Sequence, residues 1–175
     1  TWGGSDWGIH VSSDVNYTLG NDDAASMSIY EAYASADLMG FASLTAGRQA
    51  ISNGSGALMA ANDWSVRNTW EGMSFGLNLD MADITLGYHT SNDGTGGDND
   101  GNMWINAGGE FSGWNVNVLY MTDEGHDDAA TGIDISGEVM GAGISASMNT
   151  DFDGDEMRVI GLSYAVNDDM GVHVS

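Results

Sequence analysis

The sequence has no cysteine, no proline and no lysine, and its three arginines, Arg48, Arg67 and Arg158, stand against 26 acidic residues for a net charge of −23. Without cysteine there are no disulfide staples and no thiolates for metal binding or nucleophilic attack. Without clustered lysine and arginine the phosphates of a nucleic acid cannot be neutralised, and anionic lipid surfaces are excluded on the same ground. No run of about 18 apolar residues occurs, so no transmembrane helix is encoded. The opening Thr1-Trp2-Gly3-Gly4 lacks the charged stretch and apolar run of a secretory leader. The chain is read as mature or as cut from something longer.

The absence of proline also speaks to the backbone. Every residue keeps its amide donor, and with 26 glycines to supply turns this favours long β ladders. Charge of this density marks many disordered chains, but 42% of the residues are hydrophobic, including six Trp and six Tyr, which is enough apolar material for a fold. A length of 175 residues fits one domain, taken as 1–175.

Period-two alternation dominates. Trp7, Ile9, Val11, Val15, Tyr17 and Leu19 fall on one side of a strand, and Gly8, His10, Ser12, Asp14, Asn16 and Thr18 on the other, with Ser13 alone breaking the apolar row. The same pattern predicts strands near 26–38, 42–50, 73–81, 83–91, 102–111, 114–122, 131–139, 140–149, 157–167 and 170–175, about eleven in all. Met73, Phe75, Leu77, Leu79 and Met81 alternate with Ser74, Gly76, Asn78 and Asp80; Trp114, Val116, Val118 and Tyr120 alternate with Asn115 and Asn117. No window keeps a helical apolar stripe free of interior glycine, so no helix is expected.

The connections alternate in length. Short turns are expected at Met39-Gly40-Phe41, Ala82, Ser112-Gly113, Val139-Met140 and Asp168-Asp169; long loops at 21–25, 51–72, 92–101, 123–130 and 150–156. Short turns on one rim and long loops on the other are what bacterial outer-membrane barrels show. One wall of the predicted strands carries Asp, Asn, Ser, Thr and Gly, suited to a wet lumen. The other gathers Trp7, Tyr17, Tyr88, Phe111, Trp114, Tyr120 and Tyr164 near strand ends, as interfacial girdles would be. Core filling in a soluble β protein is the plainer account of these aromatics.

The expected fold is therefore all-β, an antiparallel up-and-down transmembrane β-barrel. An odd strand count, and an end inside the alternating stretch Gly171-Val172-His173-Val174-Ser175, lead to the expectation that the chain is part of a larger, even-stranded barrel.

Between residues 42 and 77 the chain reads Gly47-Arg48-Gln49, a glycine-containing loop with Asn53-Gly54 and Gly56, then Asn62-Asp63-Trp64, then Trp70-Glu71-Gly72 and a resumed alternating strand. This ordered set resembles the alginate-export-type porins of Gram-negative bacteria, over roughly a fifth of the chain. The resemblance implies an outer-membrane barrel in which the Gly-Arg-Gln strand contributes Arg48 to the pore wall and the loop after it folds inward as a constriction. Such exporters are expected to line the pore with Arg and Lys. Three arginines facing 26 carboxylates depart from that pattern and argue against a polyanion as the solute.

Candidate site residues follow. Arg48 and Arg67 flank the 51–72 loop and, with Gln49, Asp63 and Glu71, are candidates for the pore constriction; pairing that simply pins the loop is the alternative. Asp151, Asp153 and Asp155 alternate around Gly154, with Glu156 following, and Asp93, Asp98, Asn99 and Asp100 make a second oxygen-rich segment, so Ca²⁺ is a candidate ligand of both. Neither segment has the full EF-hand spacing, and Asp and Asn also favour solvated turns. His10, His89, His126 and His173 are dispersed. No Gly-x-Ser-x-Gly, Walker loop or His-Glu-x-x-His occurs, so no enzyme is expected and no cofactor is required.

The sequence-level expectation is a porin with outer-membrane lipid around it, passing small hydrophilic solutes and preferring cations, with homo-oligomers allowed. A second reading is a secreted or surface β protein that assembles through open sheet edges into fibres or matrix, with Ca²⁺ bridging its acidic loops. A third, a soluble carbohydrate-binding or hydrolytic β-sandwich, requires the aromatics to gather in one patch.

Overall fold

The computed structural model describes residues 1–16, 25–59, 62–63, 66–67, 69–91, 101–123, 125, 127–167 and 170–174. The strands are β1 (Trp2–Gly3), β2 (Trp7–Asn16), β3 (Ser26–Leu38), β4 (Ala42–Gln49), β5 (Asn62–Asp63), β6 (Val66–Arg67), β7 (Trp70–Leu79), β8 (Ala82–Ser91), β9 (Asn102–Phe111), β10 (Trp114–Thr122), β11 (Ala129–Val139), β12 (Ala142–Thr150), β13 (Glu156–Asn167) and β14 (Met170–Val174). Among the described residues there is no helix. All but β5 and β6 form one 12-stranded antiparallel sheet in which each strand pairs with the next along the chain, β4 passing directly to β7. β5 and β6 pair only with each other, inside the β4–β7 connection. The sheet is not closed into a barrel, and β1 and β14 are its edges.

All eleven expected strands are present; β5 and β6, inside the expected 51–72 loop, and β1, paired with β2 through Trp2 opposite Ile9 and Gly3 opposite Gly8, are additions. Two turns shift. Leu79 pairs with Ala82, so the turn is Asp80-Met81 rather than Ala82. Val139 pairs with Ala142, so the next is Met140-Gly141 rather than Val139-Met140. In both cases the ladder closes over two residues, the shortest tight hairpin. Glycine takes the second turn position in Met140-Gly141, where φ is 81°. The expected Asp168-Asp169 turn lies outside the described residues.

Alternation becomes two walls because register keeps it in phase across the sheet. Asn78 pairs with Asp83, Asp83 with Gly108, Gly108 with Asn117, Asn117 with Asp134, and Asp134 with Ser147, a continuous polar row. One residue out of phase, Leu77, Ile84, Ala107, Val118, Ile133 and Met148 form an apolar row on the other face. The β2–β3 pair shows how phase is maintained. Met27 and Ile29 are odd-numbered and Ala32, Ala34 and Ala36 even-numbered, yet a bulge at Ser12/Ser13 carries both sets to the apolar face.

The apolar face is open to the surroundings, Val11 being 57% and Val118 43% exposed. Trp7, Tyr88, Phe111, Tyr120 and Tyr164 are exposed large side chains on this same face, while Tyr17 lies outside the described residues. Among the described residues the buried apolar cluster lies on the polar face at the long-loop rim. There Met59, Trp104, Leu119, Met121 and Ala130 form a buried cluster, flanked by Ile51, Leu58, Trp70 and Phe152.

Candidate functional site

The segment after β4 turns back over the polar face and lies across it as a strap. Its base is held by apolar burial. Met59, with no exposed surface, sits among Trp104, Leu119, Met121 and Ala130, which are side chains of β9, β10 and β11. Its tip is held by polar bonds: the Ser55 amide donates to Asp134 Oδ2 at 3.0 Å, and the Ser147 hydroxyl meets the Ser55 hydroxyl at 3.3 Å. Between them the strap closes on itself, the Asn53 amide donating to the Met59 carbonyl at 3.0 Å and the Gly56 amide to the Asn53 carbonyl at 3.1 Å. Gly54 permits the close approach. Its φ is 57°, in the left-handed region, and a Cβ there would collide with the Asp134 carboxylate.

Beneath the cluster runs a buried polar chain. The Trp104 indole N–H donates to His89 Nδ1 at 3.0 Å, and the Gln49 side-chain amide lies 3.1 Å from His89 Nε2. His89 is fully buried, and its ring stacks on Trp104 at a centroid distance of 5.8 Å. Gly87 makes room for this arrangement, since a Cβ there would strike the indole. Every polar atom of the pair thereby finds a partner where water cannot reach it.

Between strap and wall is a cavity of about 960 Å³, lined on the strap side by Gly54, Ser55, Gly56 and Ala57 and on the wall by Asp83, Glu110, Asn115, Asn117, Asp134, Ser136, Ser145 and Ser147 among others. A second cavity of about 400 Å³ shares Asn115, Ser136 and Ser145 with it and adds Glu138, Ser163 and His173. Asn117 Nδ2, Asp134 Oδ1 and Asn106 Oδ1 are buried polar atoms of this wall without a protein partner.

Register sorts the charges. Asp14, Glu31, Asp37, Asp83, Glu110, Asp134 and Glu138 belong to the polar phase. Arg48 pairs across the sheet with Ala32 and Glu71, and Arg158 with Met148, so both belong to the apolar phase. There they make ion pairs on their own face: Arg48 Nε donates to Glu71 Oε1 at 2.7 Å, and Arg158 Nη2 to Glu156 Oε2 at 2.5 Å. Each pair lies at the long-loop rim, and Arg48 Nη1 also donates to the Ile29 carbonyl at 3.1 Å.

Of the expected constriction residues, Gln49 is therefore on the polar face, bound to His89, while Arg48 and Glu71 sit on the opposite face and brace β4 against β7 at the base of the strap. The Asp63 and Arg67 side chains lie outside the described residues, as do Asp93, Asp98 and Asp100. The Asp151 carboxylate accepts the Asp153 amide at 3.0 Å and the Asp155 amide at 2.9 Å, ordering its own turn. Among the described residues no group of three or more His, Asp or Glu is placed to hold a metal ion.

Sequence reading did not single out Met59, Trp104, Leu119, Met121, Asp83, Glu110 or Asp134. A signal was present for some of them. Met103-Trp104-Ile105 and Val118-Leu119-Tyr120-Met121 are apolar in both phases, which marks a strand covered on both faces. No family model matches this chain. No curated protein matches it either.

Proposed function

We propose that the chain forms the wall of an outer-membrane β-barrel, a water-filled channel that passes small hydrophilic solutes and prefers cations. The observation that carries this reading is the separation of charge across the sheet. The polar face bears carboxylates on β2, β3, β8, β9 and β11 and no described arginine side chain, whereas Arg48 and Arg158 are both on the apolar side, each paired with a glutamate. A wall of fixed negative charge concentrates cations and repels anions. The strap lies over the polar face where Asp83, Glu110 and Asp134 line the cavity, which supports a reading of it as the constriction. The exposed apolar face supports a lipid surrounding, because a contiguous surface of this kind is costly in water.

Planar-bilayer recordings across a KCl gradient test the proposal. The reversal potential is expected to have the sign of K⁺ preference, and an Asp83→Asn, Glu110→Gln, Asp134→Asn triple variant is expected to lower that preference several-fold. An anion-selective channel, or no channel from detergent-extracted protein, overturns it.

The open edges of β1 and β14 favour one competing reading, assembly of a secreted or surface protein through sheet edges. Fibres or sheets formed in plain buffer, without detergent, would decide for it.

A further inference from the structure

The hairpin tips of the short-turn rim depart from ordinary turn chemistry. Met39 and Met140 hold left-handed backbone, with φ of 63° and 54°, each followed by a glycine in the same region. Such positions favour Asn, Asp or Gly, and a residue with a longer side chain is strained there. Both side chains are almost wholly exposed, Met39 at 94% and Met140 at 99%; Met81 at the next hairpin is 69% exposed, and Phe41 beside Met39 is 57% exposed. Local turn energetics and burial within the chain both fail to account for them.

The opposite rim supplies a reference level. On the apolar face the Arg48–Glu71 and Arg158–Glu156 ion pairs mark where charged groups begin. From Glu71 along β7 to Leu79 the chain climbs about 27 Å at ~3.4 Å per residue, or about 21 Å along the membrane normal at a strand tilt of ~40°. An outer-membrane hydrocarbon band is about 25 Å tall. Measured from the ion pairs, it passes the last paired residues and ends at Met81. The same measure on the β11–β12 hairpin runs from Met148, opposite Arg158, to Met140.

We infer that the side chains of Met39, Phe41, Met81 and Met140 at the short-turn tips are sunk in the lipid at the far boundary of the membrane instead of projecting into water, with Asp80 of the Met81 turn and the Ser112 tip at the headgroup level. The inference rests on the proposed membrane reading and goes beyond it by naming the occupant of this rim as lipid. The tips are continuous with the apolar wall, and without them that wall is too short. Methionine suits the task, being apolar, flexible and free of hydrogen-bonding demand.

Single cysteines at Met39, Met140, Val118 and Asp153 in the full chain, labelled with an environment-sensitive fluorophore in phosphatidylcholine nanodiscs, provide the test, because both rims are then open to solvent. At Met39→Cys and Met140→Cys, quenching by iodide is expected to be several-fold weaker than at Asp153→Cys, and lipid-borne quenchers near the headgroups are expected to act strongly. If the wall label at Val118→Cys is lipid-quenched while the tip labels are as open to iodide as Asp153→Cys, the tips are in water and this inference alone is overturned. Tip labels shielded from iodide but untouched by lipid quenchers place them against protein and overturn it as well. Absence of lipid quenching at Val118→Cys removes the membrane reading and this inference with it.

Discussion

Among the described residues Met59 and His89 are the largest side chains without any exposed surface, and both lie where the strap meets the sheet. Replacing Met59 by Ala leaves a void that the rigid strands around it cannot fill. A loss of about 2–5 kcal/mol is expected, measured as a lowered denaturation midpoint in detergent. An unchanged midpoint would mean that the strap is not anchored there. Gly87→Ala acts from the other side of the same cluster. Its added methyl displaces the Trp104 indole and breaks the hydrogen bond to His89, so a weakened near-ultraviolet dichroism of tryptophan is expected with far-ultraviolet β signal intact. Retention of the full tryptophan signal would show that the indole is held by something else. None of this was legible residue by residue. In the sequence His89 is one of four scattered histidines, and its partners Gln49 and Trp104 lie on strands brought to it only by sheet register.

In the proposed channel the strap is the element that covers the polar face. Its tip holds by two polar contacts with the wall, while its base is buried, so the two ends can be separated by mutation. Excision of Gly54–Ala57 removes the tip and the Asn53–Met59 closure but keeps the Met59 side chain itself. Single-channel conductance is expected to rise and cation preference to fall, because the carboxylates at Asp83, Glu110 and Asp134 then face a wider aqueous path. Equal conductance before and after excision would place the narrowest point elsewhere. The hairpins offer a separate check on turn physics. Ser112 holds left-handed backbone with φ of 53°, ahead of Gly113. Ser112→Asn is expected to stabilise the β9–β10 hairpin by a few tenths of a kcal/mol, read from the denaturation midpoint; a lower midpoint would indicate that Ser112 has another role.

At the scale of the whole molecule the dominant quantity is a net charge of −23 spread over a sheet with a polar and an apolar wall. Fixed charges in water act over about 8 Å at physiological ionic strength and about 3 Å at 1 M salt. The K⁺ preference in the bilayer assay is accordingly expected to shrink as salt is raised from 0.1 to 1 M, by these same screening lengths. Selectivity independent of salt would point to a narrow coordinating site in place of a charged wall. The two open edges are the other global feature. Strand edges do not persist unpaired in hydrocarbon, so within a membrane β1 and β14 must be paired, with each other or with other strands.

What the sequence by itself determined was local. Each of the eleven strands could be located because its side chains alternate with a period of two, and a strand needs no distant partner to display that period. Alternation also separated a polar wall from an apolar one, since Val11, Leu77 and Val118 occupy the phase opposite to Asp14, Asn78 and Asn117. The tertiary structure alone decided which strands meet in which register, and that changes the meaning of single residues. Register set Arg48 beside Glu71 on the apolar face, one position away from Gln49 on the polar face. It gathered Asp83, Glu110 and Asp134 from three separate strands around one cavity, and it laid Met59 of a loop onto Trp104, Leu119 and Met121. Contacts of this kind join residues far apart along the chain, and no short-range periodicity records them.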